Sequence, residues 1–221
     1  MFCRSRRPPT LREAVKMLEK HVAANNRVAM RQLAHAYKTG DLGLEQNILF
    51  ALPLLVKAAE LGCRVAIMDL GWTLLREDED GHVPIEQRMG FQRKGACRAW
   101  GIALLESAAK MGQSASHHLL GMFYGRERQH GMRNHPFEKT VGHFSFAARC
   151  GSKESLKMLE FEHKQGNIGE KTLEEIREAY EEAAKIEWSE EREAWRAECG
   201  STTQKILEHF ASKMNGNHTN K

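Results

Sequence analysis

Small and large apolar positions recur along this chain in two arrangements, each at helical spacing. In the first, a small residue is followed four places on by leucine, then at once by a second small residue, and four places after the leucine by a large one. Ala29, Leu33, Ala34 and Tyr37 form one copy, closed by Gly40; Ala66, Leu70, Gly71 and Leu74 form the next, and Ser116, Leu120, Gly121 and Tyr124 a third. A fourth keeps Ser155, Leu159 and a closing Gly166, but Glu160 and His163 stand where the others have small and large residues. These offsets put leucine and the large residue on one face of a helix, with alanine or glycine where a neighbouring helix approaches.

The second arrangement is Ala-Ala-x-x-Gly, with a large residue three places before the pair. Leu55 precedes Ala58-Ala59 and Gly62, Leu105 precedes Ala108-Ala109 and Gly112, and Phe144 precedes Ala147-Ala148 and Gly151. Tyr180 with Ala183-Ala184 is a fourth copy, though Glu187 replaces its glycine. Paired alanines let two helices pack closely, and the glycine is suited to the left-handed conformation that ends a helix. Successive pairs lie roughly 50, 40 and 36 residues apart, a spacing at which self-similarity means stacked repeats. Each unit therefore reads as a helical hairpin, a periodicity that an irregular helical bundle would not need.

Taken together, the two half-motifs resemble the Sel-one-like repeat family, relatives of the tetratricopeptide repeats, whose units run Ala…Leu-Gly-x-x-Tyr-x-x-Gly and then Ala-Ala-x-x-Gly. The resemblance covers roughly residues 27–187 and implies an all-α, right-handed α-solenoid of about four helical hairpins with terminal capping helices. The units fall at 27–62, 63–112, 113–151 and 152–187, with insertions at 76–95 and 125–135. The first insertion opens on Glu77-Asp78-Glu79-Asp80-Gly81 and both read as loops, with Pro136 beginning a helix after the second. Insertions at equivalent places emerge on one edge of such an array.

Thr10-Leu11-Arg12-Glu13 is a capping box that starts an amphipathic helix ending near Asn25-Asn26, so residues 1–26 read as a basic segment and capping helix. Residues 188–221 read as two capping helices and a disordered tail. Pro53 conflicts with the pattern: inside a helix it costs about 3 kcal/mol, which predicts a helix that is kinked or starts late.

Composition adds the compartment. Nothing approaches the apolar run needed to span a bilayer, and Met1–Pro9 has no apolar stretch for secretion, which points to the cytoplasm. The five cysteines have no zinc-knuckle or redox spacing, and they lack the regular disulfide of the family's secreted members, so reduced thiols are expected. Net charge is +4, spread unevenly: basic residues crowd the N-terminus and the insertions, whereas Glu170 to Glu198 is acidic. These patches read either as solvated surface or as a basic edge that docks an acidic protein or nucleic acid.

Catalytic and cofactor motifs are missing from the sequence: no phosphate-binding glycine loop, no Gly-x-Ser-x-Gly elbow and no distinctive carboxylate pair. A non-enzymatic role without a cofactor is expected. His117, His118, His130, His135 and His143 fall within one repeat, but no His-Glu-x-x-His or Cys-x-x-Cys spacing accompanies them, and neighbouring His117 and His118 point in different directions on a helix. No native metal site is expected.

What remains is recognition. The residue after the second small position aligns as His35, Trp72, Met122 and Phe161, with Arg31, Met68, His118 and Lys157 beside it. Such a stripe either lines a groove that grips a peptide or helix, or packs between adjacent hairpins. Arg126 and Arg128 on the second insertion supply a basic edge. The resemblance implies a scaffold role, since such repeats serve signalling, host interaction and effector neutralisation in bacteria. The leading expectation is an adaptor that binds a protein partner through the groove or the insertion edge. A nucleic-acid-associated accessory factor is the alternative, with no recognised motif and few interleaved aromatics to favour it.

Overall fold

A computed structural model describes residues 10–75, 96–129 and 137–183, all helical or connecting turn, with no strand among them. The insertion at 76–95, the ends at 1–9 and 188–221, and residues 130–136 and 184–187 lie outside the described residues. Two compact units divide the chain between Leu70 and Gly71.

The first unit holds α1 (Leu11–Ala23), α2 (Arg27–Thr39), a short 3-10 turn (Asp41–Gly43), α3 (Ile48–Glu60) and the start of α4 (Arg64–Leu75). The capping box is formed: Thr10 Oγ1 accepts from the Glu13 amide, and the Glu13 carboxylate accepts from the Thr10 amide at 2.8 Å. Asn25 turns the chain with φ 56°, and the Asn26 carboxamide oxygen then caps α2 by accepting from the Val28 and Ala29 amides. α2 packs along α3, with Ala29, Leu33 and Ala34 buried on one and Leu55, Ala58 and Ala59 on the other. Arg27 ties the pair by donating to the Leu61 carbonyl, 3.0 Å away at the end of α3.

Pro53 neither delays α3 nor interrupts it. The helix starts five residues earlier, behind an Asn47 cap, and runs through the proline. Pro53 lies on the exposed face, where the carbonyl left without its amide can be met by water.

The second unit takes the end of α4 together with α5 (Ala96–Lys110), α6 (Ser114–Gln129), α7 (Phe137–Arg149), α8 (Lys153–Lys164) and α9 (Glu170–Ala183). α6 packs on α5 and α7, while α7, α8 and α9 pack on one another. Phe144, Ala148, Leu159, Ile168, Leu173 and Ile176 form their common core. The glycines expected to end helices do so: Gly40, Gly62, Gly112, Gly151 and Gly166 all have φ between 75° and 88°.

Two details differ from the sequence pattern. α6 continues to Gln129, so the second insertion begins as helix rather than as loop at Gly125. An ion pair from Arg98 on α5 to Glu127, with the Arg98 guanidinium 5.1 Å above the Phe123 ring, braces this extension. In repeat four the apparently degenerate residues make polar ties instead of apolar ones. Glu160 accepts from Arg177 of α9 at 3.2 Å, and His163 reaches the Ile168 carbonyl through Nδ1 and Glu170 through Nε2, at 2.7 and 2.8 Å.

Cys63, Cys97 and Cys150 form no disulfide. Among the described residues no helix is long and apolar enough to cross a membrane.

Candidate functional site

The small residues of the repeat signature decide how closely each helix pair approaches. Near the end of α4, Gly71 meets Gly101 of α5 backbone to backbone: a Cβ at Gly71 would stand 2.9 Å from the Gly101 carbonyl oxygen, and one at Gly101 would stand 2.8 Å from that of Gly71. Leu75 lies over Gly101 and fills the space beside the contact. In α6 the equivalent Gly121 faces the Phe144 ring, 2.8 Å from where its Cβ would be. Four residues on, where α4 has Leu75, α6 has Gly125, and a Cβ there would meet only the Thr140 methyl at 3.4 Å.

Gly125 borders an open cleft of about 580 Å³ between α6, α7 and α8. Gly121, Phe144 and Thr140 form its floor, Met122, Met158 and Phe161 its apolar walls, and Arg126, Glu162, Gln165 and Asn167 its polar rim. Phe144 is buried, whereas Phe161 keeps 54% of its surface and Met158 37%, so large apolar groups face solvent there. Asn167 donates to Glu162 at 2.8 Å and thereby fixes that side of the rim.

Three of the residues expected at a recognition surface, Met122, Phe161 and Arg126, thus meet in one place. Each of the others has its own local setting. His35 is exposed on α2, 3.9 Å from Asp41, and Arg31 pairs with Asp69 at 3.6 Å. Met68 and Trp72 are half-buried on α4, and Lys157 is exposed on α8. Arg128 belongs to the last turn of α6, its side chain outside the described residues. Met122 is partly buried against the α7–α8–α9 core as well as lining the cleft. Sequence reasoning missed Met158 and Gly125. Met158 lies one turn before Phe161, and Gly125 one turn after Gly121, spacings that were available to it.

The histidines of α6 join it to the other helices that line the cleft. His117 and His143 of α7 approach Nδ1 to Nδ1 at 3.0 Å, and the His117 ring stacks on Phe146 at 4.1 Å. His118 turns the other way, its Nδ1 2.9 Å from Ser155 Oγ on α8. Burial is the first cause that lowers the proton affinity of all three. For His117 the neighbouring His143 adds to it, against a bond to the Ala109 backbone, and the pKa falls from 6.5 to about 4. Lys139 adds to it for His143, while Glu154 opposes it for His118.

Beside the pair, Tyr124 stacks on His143, donates to Glu106 at 3.2 Å and lies under the Lys139 ammonium at 4.0 Å. Burial raises the Tyr124 pKa. His130 and His135 are outside the described residues, among which no three His, Cys, Asp or Glu side chains gather as metal ligands. No protein-family model and no curated protein matches this chain.

Proposed function

We propose that the chain is a Sel-one-like repeat adaptor: a right-handed solenoid of about four hairpins with terminal caps that binds a protein partner without catalysing a reaction, in the cytoplasm. The buried Ala/Leu/Gly positions and the left-handed glycines support the repeat reading. The observation that carries the binding role is the cleft. Its volume lies in the range of sites that take up small molecules or a few side chains, and it combines apolar walls with a few polar groups at the rim.

A partner segment would seat an apolar side chain among Met122, Met158 and Phe161 and present an acidic group to Arg126. Methionine walls adapt to the shape of such an anchor, and the rim charge steers its approach. The test is a nuclease-treated pull-down from the native host with wild type, Phe161→Ala and Met122→Ala. One protein captured by wild type and lost with both variants is expected. Capture that disappears with nuclease in all three would replace this reading with the nucleic-acid one.

A further inference from the structure

We propose that His117 and His143 form an acid-operated latch, which holds α6 and α7, two walls of the cleft, together while at least one ring is neutral and releases them when both are protonated. The inference concerns the mechanics of the cleft and holds whatever docks there.

Its basis is placement. His117 joins α6 to α7 and His118 joins α6 to α8, and the His117–His143 link requires that at least one of its two rings be neutral. A neutral imidazole carries one N–H. With the proton of His117 on the nitrogen facing the Ala109 backbone, its Nδ1 is an acceptor and His143 Nδ1–H the donor across 3.0 Å. One added proton leaves an imidazolium that still donates to a neutral ring. A second sets N–H against N–H and puts two cations side by side, with the Lys139 ammonium on the same side of α7.

On the other link, Ser155 Oγ accepts from Ser152 Oγ at 3.0 Å, so its own proton is the one that reaches His118 Nδ1. Protonating that nitrogen reverses the bond, because Ser155 Oγ keeps a lone pair that accepts from Nδ1–H, so α8 stays tied to α6. The charged or titratable groups facing the latch are Glu106 of α5, through Tyr124 and Lys139, Tyr124 on α6, Lys139 on α7 and Glu154 on α8. Glu106 sits 3.9 Å from Lys139 and so holds that ammonium beside the pair.

All three rings bind a proton less readily in the folded chain than the ordinary histidine value of 6.5. The unfolded or opened state therefore takes up protons first as pH falls. Stability of the closed arrangement is full above 6.5 and declines below it, down to about 4 for His117. α6, α7 and α8 all line the cleft, so the strain falls on Met122, Met158 and Phe161.

The test uses the full chain labelled at methionine methyls, titrated from pH 7.5 to 4 by NMR while the imidazole signals are followed. The expected result is that His117 and His143 titrate below the ordinary range and that the Met122 and Met158 methyls shift with the same midpoint. The helical far-UV circular dichroism, recorded in parallel, should stay unchanged and report any general unfolding. In His143→Gln the shift of the cleft methyls should shrink by at least half; the wild-type titration stands on its own if that variant does not fold. Methyls that stay still while the imidazoles titrate would overturn the latch, as would loss of the helical signal together with the methyl shifts.

Discussion

The end of α4 and the middle of α6 occupy the same place in the repeat yet finish differently. Against α5, Gly71 meets Gly101 and Leu75 covers the glycine, so the space between the helices is filled. Against α7, Gly121 meets an aromatic ring, and Gly125 faces Thr140 where α4 has a leucine, so the space stays open. One signature thus yields a sealed contact in one copy and a cleft in the next. The difference lies in which helix of the pair carries the bulky residue: Leu75 opposite Gly101, or Thr140 opposite Gly125. Close packing makes such a choice visible as volume.

The comparison can be broken most severely at the backbone contact. Gly71→Ala or Gly101→Ala forces a methyl against a carbonyl oxygen that belongs to the other helix, and should cost about 3 kcal/mol, the upper end for overpacking. Thermal unfolding should show this as a drop of about 10 °C. A silent substitution would mean that these helices do not touch through their backbones.

Gly121→Ala presses on the Phe144 ring, which can move where a carbonyl cannot. A cost of about 1–2 kcal/mol is expected from urea unfolding, and a cost as large as that at Gly71 would remove the distinction between the two contacts.

Gly125→Leu sharpens the comparison, because it gives α6 the side chain that α4 already has. The leucine should occupy the part of the cleft beside position 125 at a cost below about 1 kcal/mol, with Thr140→Gly added to reproduce the α4–α5 arrangement if the threonine methyl obstructs it. A crystal structure of the variant should show the cleft narrowed beside position 125, and an unchanged cleft would contradict the part given to Gly125 in keeping it open.

Phe161→Ala is the mildest change. The ring is largely exposed, so stability should move by no more than about 0.5 kcal/mol, measured by urea unfolding. A larger loss would place Phe161 in the core rather than on the wall of a site.

Much of this was legible in the chain. The apolar periodicity fixed which residues are buried, since Leu33, Leu70, Leu120 and Leu159 all are, and the glycine positions fixed where helices end. Such features depend on a residue's neighbours within a turn or two. The cleft depends on what stands across from a residue, and Gly125 is informative only once Thr140 is known to face it. For the same reason His117 and His118 could be assigned different directions from the helix alone, but not their partners His143 and Ser155, which lie 26 and 37 residues away. Glu160 and His163 looked like decay of the repeat because their partners, Arg177 and Glu170, belong to the next helix.

The measurement that tests the central claim most directly is the affinity of the captured partner for wild type and for Gly125→Leu, by titration calorimetry on proteins whose melting temperatures have been compared. Obstructing the cleft should weaken binding at least tenfold, about 1.4 kcal/mol, while the melting temperature stays within a few degrees. Equal affinity for the two proteins would contradict the cleft as the binding site.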